Sequence, residues 1–135
     1  MTQSNKAAKW KRLVNYTIDI IGYLIICLVL GYILGFVLAI TGNDDFLESA
    51  TFDVLSQLVA LIVLFAYYFF FELLAAATPG KLITGTRVIS RQGDTLDAGT
   101  IALRNLIRFI PFEPFSFLFS EGWHDKWSKT TVVDK

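Results

Sequence analysis

The chain has 135 residues, 54% of them apolar and 15% aromatic, and a mean hydropathy of +0.53. That much apolar side chain excludes a soluble domain of ordinary surface, and the length allows a single domain over residues 1–135. Twelve basic residues balance twelve acidic ones, so net charge gives no reason to expect nucleic acid, and only the distribution of charge informs.

Two apolar runs, about 14–40 and about 54–77, each exceed the ~20 residues that a ~30 Å hydrocarbon slab requires, and both are predicted to be transmembrane helices. The first is much longer than the 7–15 apolar residues of a signal peptide, so we expect it to be retained. Lys6, Lys9, Lys11 and Arg12 precede it. The connection TGNDDFLESATFD holds Asp44, Asp45, Glu48 and Asp53 and no Lys or Arg, while Lys81, Arg87, Arg91, Arg104 and Arg108 follow the second run. By the positive-inside rule both ends of this hairpin face the cytoplasm. The lone Cys27 reads as a small hydrophobe, and Gly31 and Gly35 form a GxxxG pattern suited to close helix approach.

Asp19 and Glu72 interrupt the runs. Fifteen Leu, Ile, Val or Phe residues from Ile18 to Ile40 contribute about −0.3 to −0.6 kcal/mol each to insertion, which outweighs the roughly +3.5 kcal/mol of one central aspartate. The first span therefore inserts with Asp19 in it, and an ionisable group held there points to function. Asp19 lies seven residues inward from Arg12 and Glu72 six inward from Thr78, depths of ~10.5 and ~9 Å, so both reach the same, cytoplasmic leaflet. Arg12 and Asp19 are also two helical turns apart, which predicts a polar stripe on one face. In the plainer reading Arg12 snorkels to the headgroups and Asp19 is protonated or packed against a neighbour.

Past the hairpin, TPGKLITGTRVISRQGDTLD mixes Pro, Gly and β-branched residues and predicts a short β-hairpin or ordered loop, and the tail KTTVVDK is expected to pair near Arg87 to Ile89. The segment about 98–119 carries Arg104, Arg108, Pro111 and Pro114. Two central arginines would cost roughly 5 to 7 kcal/mol, so spanning is disfavoured. Leu103, Leu106, Ile107 and Ile110 recur at i, i+3, i+4, i+7, which predicts an amphipathic helix in the cytoplasmic interface with Arg104 and Arg108 as its basic face. PFEPFSFLF is expected to be a kinked aromatic element dipping into that leaflet, and a short re-entrant third segment is the alternative. The fold class is thus all-α integral membrane: a two-helix transmembrane hairpin with a cytoplasmic loop or small β element and a C-terminal interfacial helix.

Near the end, Trp123 and Trp127 flank His124 and Asp125. The tryptophans suit a membrane interface. A His-Asp pair is half of a metal site or an acid/base couple, but a catalytic zinc needs about three protein ligands and this is the only histidine. No serine sits in a G-x-S-x-G elbow, and Gly80-Lys81 lacks the preceding glycine of a P-loop. The sequence therefore predicts no enzyme, no catalytic residue, no metal and no cofactor.

RLVNYTID, TPGKLITGTRV, RNLIRFIPFEPFSF and HDKWSKTTVV, in that order over about residues 11–133, resemble the RDD family of small bacterial membrane proteins. The family is named for one arginine and two aspartates, and the matching positions are Arg12, Asp19 and Asp125. The resemblance implies a bacterial inner membrane, and for some members cation/proton exchange or transport of an unidentified ligand. Two readings follow. In an exchange role, Asp19 aided by Glu72 binds a proton or cation, with Arg12, Asp125 and His124 tuning it; two helices cannot enclose a water-filled path, so this requires a homo-oligomer or a larger membrane complex. In a structural role, Arg12, Asp19 and Asp125 form an internal network of a membrane anchor or accessory subunit. The lipid bilayer is the expected partner in both.

Overall fold

The computed structural model describes residues 5–93, 95–113, 115–116 and 122–135. Helix α1 (Lys9–Thr41) and helix α2 (Ala50–Ala75) are each long and apolar enough to cross a membrane. At 33 residues α1 is ~50 Å long, and its surplus over the predicted span lies mainly at the N-terminal end, where it carries Arg12 on regular helix. Gly42 ends α1 in the left-handed conformation (φ 69°), where a residue without Cβ pays no steric cost, and the N–H groups of Gly42 and Asn43 close on Ala39 and Leu38 at 3.3 and 3.0 Å. After a 3₁₀ turn (Asp44–Glu48), the Ser49 hydroxyl caps α2 by accepting the Phe52 N–H at 3.1 Å. Midway along the hairpin, the Tyr23 hydroxyl donates to the Ala60 carbonyl at 3.2 Å.

The other described elements gather at the end of the hairpin where α1 begins and α2 stops. Helix α3 (Pro79–Ile83) starts with proline at its first turn and lies across α1, where the sequence predicted only a loop. Strand β1 (Thr86–Ser90), helix α4 (Ala98–Ile107), helix α5 (Trp123–Trp127) and strand β2 (Thr130–Asp134) complete the cap. The strands are antiparallel in the register Arg87↔Val133, Val88↔Val132, Ile89↔Thr131, which is the tail pairing that the β-branched run predicts. Lys6 bridges to Val133, and the Ala7 N–H donates to the Val132 carbonyl at 3.0 Å, so both ends of the chain lie together. A small apolar core of Ala7, Val88 and Val132, with Leu96 against it, sits under this sheet.

Helix α4 does not present the basic outer face expected of it. Ile101, Arg104, Asn105 and Ile107 are buried, whereas Leu103 and Leu106 face outward, and the Phe109 ring beyond the helix stacks on Phe65 of α2 at 6.4 Å. The charges turn inward because α2 offers them a buried carboxylate; Ile101 and Ile107 stay buried with them, and Leu103 and Leu106 take the outside. Of the rest of the predicted 98–119 segment, Pro114 and residues 117–119 lie outside the described residues.

Backbone contact between α1 and α3 requires a missing side chain. A Cβ on Gly80 would sit 2.4 Å from the Asn15 carbonyl oxygen and 2.9 Å from its Cα, whereas one on Gly31 would meet nothing within 4 Å. Gly80→Ala should therefore lower stability by about 1–3 kcal/mol and Gly31→Ala should leave it unchanged or slightly raised, as read from thermal unfolding in detergent.

Candidate functional site

Glu72, in the last turn of α2, is 1% exposed, yet three cations reach its carboxylate. Lys81 Nζ of α3 lies 2.6 Å from Oε1, Arg108 Nη2 3.3 Å from Oε1, and Arg104 Nε of α4 3.0 Å from Oε2. Arg104 is fully buried and bridges onward, its Nη1 meeting Asp125 Oδ1 of α5 and the Thr130 hydroxyl at 2.5 Å. The other oxygen of Asp125 takes Arg12 Nη1 of α1 at 2.7 Å. The path Glu72–Arg104–Asp125–Arg12 thus runs from one long helix through the cap to the other. The expectation that Arg104 and Arg108 form an interfacial basic face is corrected here: both point inward, and the Arg108 guanidinium lies over the Tyr68 ring at 4.3 Å.

The expected network of Arg12, Asp19 and Asp125 forms in part, joining Arg12 to Asp125 and leaving Asp19 outside it. Asp19, 2% exposed, accepts three hydrogen bonds, from the Gly80 N–H (2.8 Å), the Thr78 hydroxyl (2.5 Å) and the Tyr67 hydroxyl (3.3 Å). It fastens the start of α3 to α1 and touches no guanidinium, because Arg12 is drawn up to Asp125. Asn15, one turn nearer the cap, makes a parallel attachment to the hydroxyls of Thr84 and Thr86 at 2.5 and 3.1 Å.

His124 contacts Glu113 through Nδ1, and its backbone N–H also reaches that carboxylate at 3.3 Å, while Nε2 lies 3.4 Å from Asp125. Burial, helped by Arg108 and Arg104, pulls the His124 imidazole down to about 4, so at neutral pH it is uncharged and its Nδ1–H donates to Glu113. Burial works to raise Glu113 and Asp125, but both end below the usual carboxylate range: the hydrogen bonds from His124 prevail at Glu113, and the Arg104 guanidinium at Asp125. Burial also lowers Lys81, against the pull of Glu72.

All seven residues singled out from the sequence, Arg12, Asp19, Glu72, Arg104, Arg108, His124 and Asp125, therefore meet at one end of the hairpin. Lys81, Glu113, Tyr67, Thr78 and Thr130 were missed; Lys81 had a signal, as the first cation after a span that ends with a buried acid. Arg12, Asp19, Tyr68, Lys81, Arg108 and Glu113 border a polar cavity of about 40 Å³. At the other end the long helices part around an apolar groove of about 410 Å³, lined by Cys27, Gly31, Leu34, Phe52 and Leu55 among others. Among the described residues no group of three or more His, Cys, Asp or Glu is placed to hold a metal ion.

Residues 6–122 match the RDD family. No curated protein and no solved structure matches the chain.

The depressed His124 fixes a pH dependence. Between about 6.5 and 4 the unfolded chain carries a proton on this ring that the folded chain does not, so stability falls as pH drops through that window, by up to about 1.4 kcal/mol per pH unit. Asp125 and Glu113 act with the same sign, since their contribution is present above the ordinary carboxylate pKa and lost below it. The melting temperature should decline from pH 6.5 to 4, and His124→Gln should flatten the upper part of that decline.

Proposed function

The chain belongs to the RDD family, and we propose that it acts as a membrane anchor or accessory subunit whose buried ion network fastens a small cytoplasmic cap to a two-helix hairpin. The observation that carries this reading is the saturation of Glu72: three cations surround one carboxylate, and the two furthest apart in sequence, Lys81 and Arg108, come from separate elements. A carboxylate so neutralised is poorly suited to take up and release a transported cation, and well suited to hold α2, α3 and α4 in one arrangement. In this reading α4 sinks into the cytoplasmic leaflet beside α2, its outward Leu103 and Leu106 against acyl chains. Phe109 supports that depth, because its partner Phe65 is seven residues, ~10.5 Å, further into the span than Glu72. The setting is a bacterial inner membrane with both termini cytoplasmic, and the apolar groove at the far end is where a second copy or a larger complex would pack.

A second reading, cation/proton exchange, is favoured by one feature: Asp19 borders the polar cavity and carries no cation of its own. Reconstituted proteoliposomes separate the two. The anchor reading predicts ion-driven proton flux no greater than in protein-free vesicles, and a lower melting temperature for Asp19→Asn. Flux in the wild type that Asp19→Asn abolishes while the protein remains folded would transfer the conclusion to exchange.

A further inference from the structure

The polar cavity is not used by the ion network that surrounds it. One water needs about 10–15 Å³ of such space, so about 40 Å³ has room for a small water cluster or for the oxygens of one tetrahedral anion. Its walls hold more donors than the protein engages. A guanidinium carries five N–H groups. Among the described residues Arg12 commits one of them, to Asp125, and Arg108 two, to Asn105 and Glu72. The Tyr68 side chain is 4% exposed and its hydroxyl meets no hydrogen-bonding partner among those residues. The acceptors on the wall are by contrast mostly occupied: Asp19 receives three hydrogen bonds, and Oε1 of Glu113 receives the ring and backbone N–H of His124, which leaves Oε2 of Glu113 without a partner among the described residues. A cation entering this space would face Arg12, Lys81 and Arg108 with one carboxylate oxygen, Oε2 of Glu113, left to receive it, whereas an anion would meet several unengaged N–H groups and an O–H.

We propose that this cavity binds a phosphate group, carried by a phospholipid headgroup or present as free phosphate. The planar fork of an arginine matches phosphate oxygens, and a basic pocket beside spanning helices at the cytoplasmic boundary is placed to take a lipid headgroup. Arg12, in the first turn of α1, borders the cavity and keeps part of its side chain exposed. The site goes beyond the anchor reading and does not depend on it, because a phosphate could be held by a transporter as well.

The test uses the full chain purified in dodecyl maltoside, which carries no phosphate. One arm titrates sodium phosphate against sodium chloride at equal ionic strength; the other titrates phosphatidylglycerol against phosphate-free diacylglycerol. Stabilisation by sodium phosphate assigns the site to the free anion, and stabilisation by phosphatidylglycerol alone assigns it to the lipid. Tyr68→Phe, which removes only the unpartnered hydroxyl, should melt as the wild type does without ligand and bind about tenfold more weakly. Phosphorus NMR on the wild type needs no variant, and the bound resonance should shift and broaden. No stabilisation in either arm with an unchanged phosphorus resonance, or undiminished affinity in a folded Tyr68→Phe, would overturn the proposal.

Discussion

Arg104 is a guanidinium removed from water and placed between two carboxylates, Glu72 of α2 and Asp125 of α5. Taking such an ion out of water costs several kcal/mol, and the cost is offset only where opposite charges and hydrogen-bond acceptors meet it in good geometry. That requirement organises the cap. Helix α4 must turn its arginines inward, α5 must bring Asp125 within reach, and β2 must supply Thr130 to the same guanidinium. Once Asp125 is in place it also takes Arg12, which ties the cap to α1 as firmly as Glu72 ties it to α2. The four buried carboxylates, Asp19, Glu72, Glu113 and Asp125, are matched in number by two buried cations, Lys81 and Arg104, and two partly exposed ones, Arg12 and Arg108, with His124 neutral. A neutral cluster of this kind can sit beside hydrocarbon where an unbalanced one would not.

Asp19 contributes differently. Its partners are two hydroxyls and a backbone N–H, so it acts as a capping group for the chain reversal that follows α2 and not as one half of an ion pair. The close approach of Gly80 to Asn15 depends on that reversal, and Lys81 arrives at Glu72 because α3 begins where Asp19 holds it. Arg12, Asp125 and Asp19 thus divide two tasks in this chain: Arg12 and Asp125 close the ion network, and Asp19 holds the turn that delivers a further cation to it.

Much of this was legible in the sequence. Hydropathy gave the two long helices, β-branched residues gave the tail strand and its partner, and the cost of placing charge in lipid drew attention to Asp19 and Glu72. The pairings were not legible, for a physical reason. Arg12 and Asp19 share a helix face, but they lie ~10.5 Å apart along it and a helical side chain leans toward the N-terminus, away from Asp19, while the position of Asp125 depends on α4 and α5 together. Periodicity alone also could not orient α4. Leu103, Leu106 and Ile107 beside Arg104 and Arg108 describe two faces, and which face turns inward depends on the medium outside and the charge inside. Against water Leu103 and Leu106 would be buried; beside α2, which carries Glu72, Arg104 is buried together with Ile107 and the two leucines face outward. The helix of residues 79–83 escaped notice because five residues after a proline carry no periodic signal.

The central claim is that Glu72 and Arg104 act on each other across the boundary between span and cap. A double-mutant cycle with Glu72→Gln, Arg104→Gln and the double variant, read from thermal unfolding at pH 7, measures that interaction without assuming the worth of either residue alone. A coupling of at least about 2 kcal/mol, with the double variant less damaged than the sum of the singles, is the predicted result. Effects that add within about 0.5 kcal/mol would mean that the two side chains do not depend on each other, and the account of the cap as held by this ion pair would be contradicted.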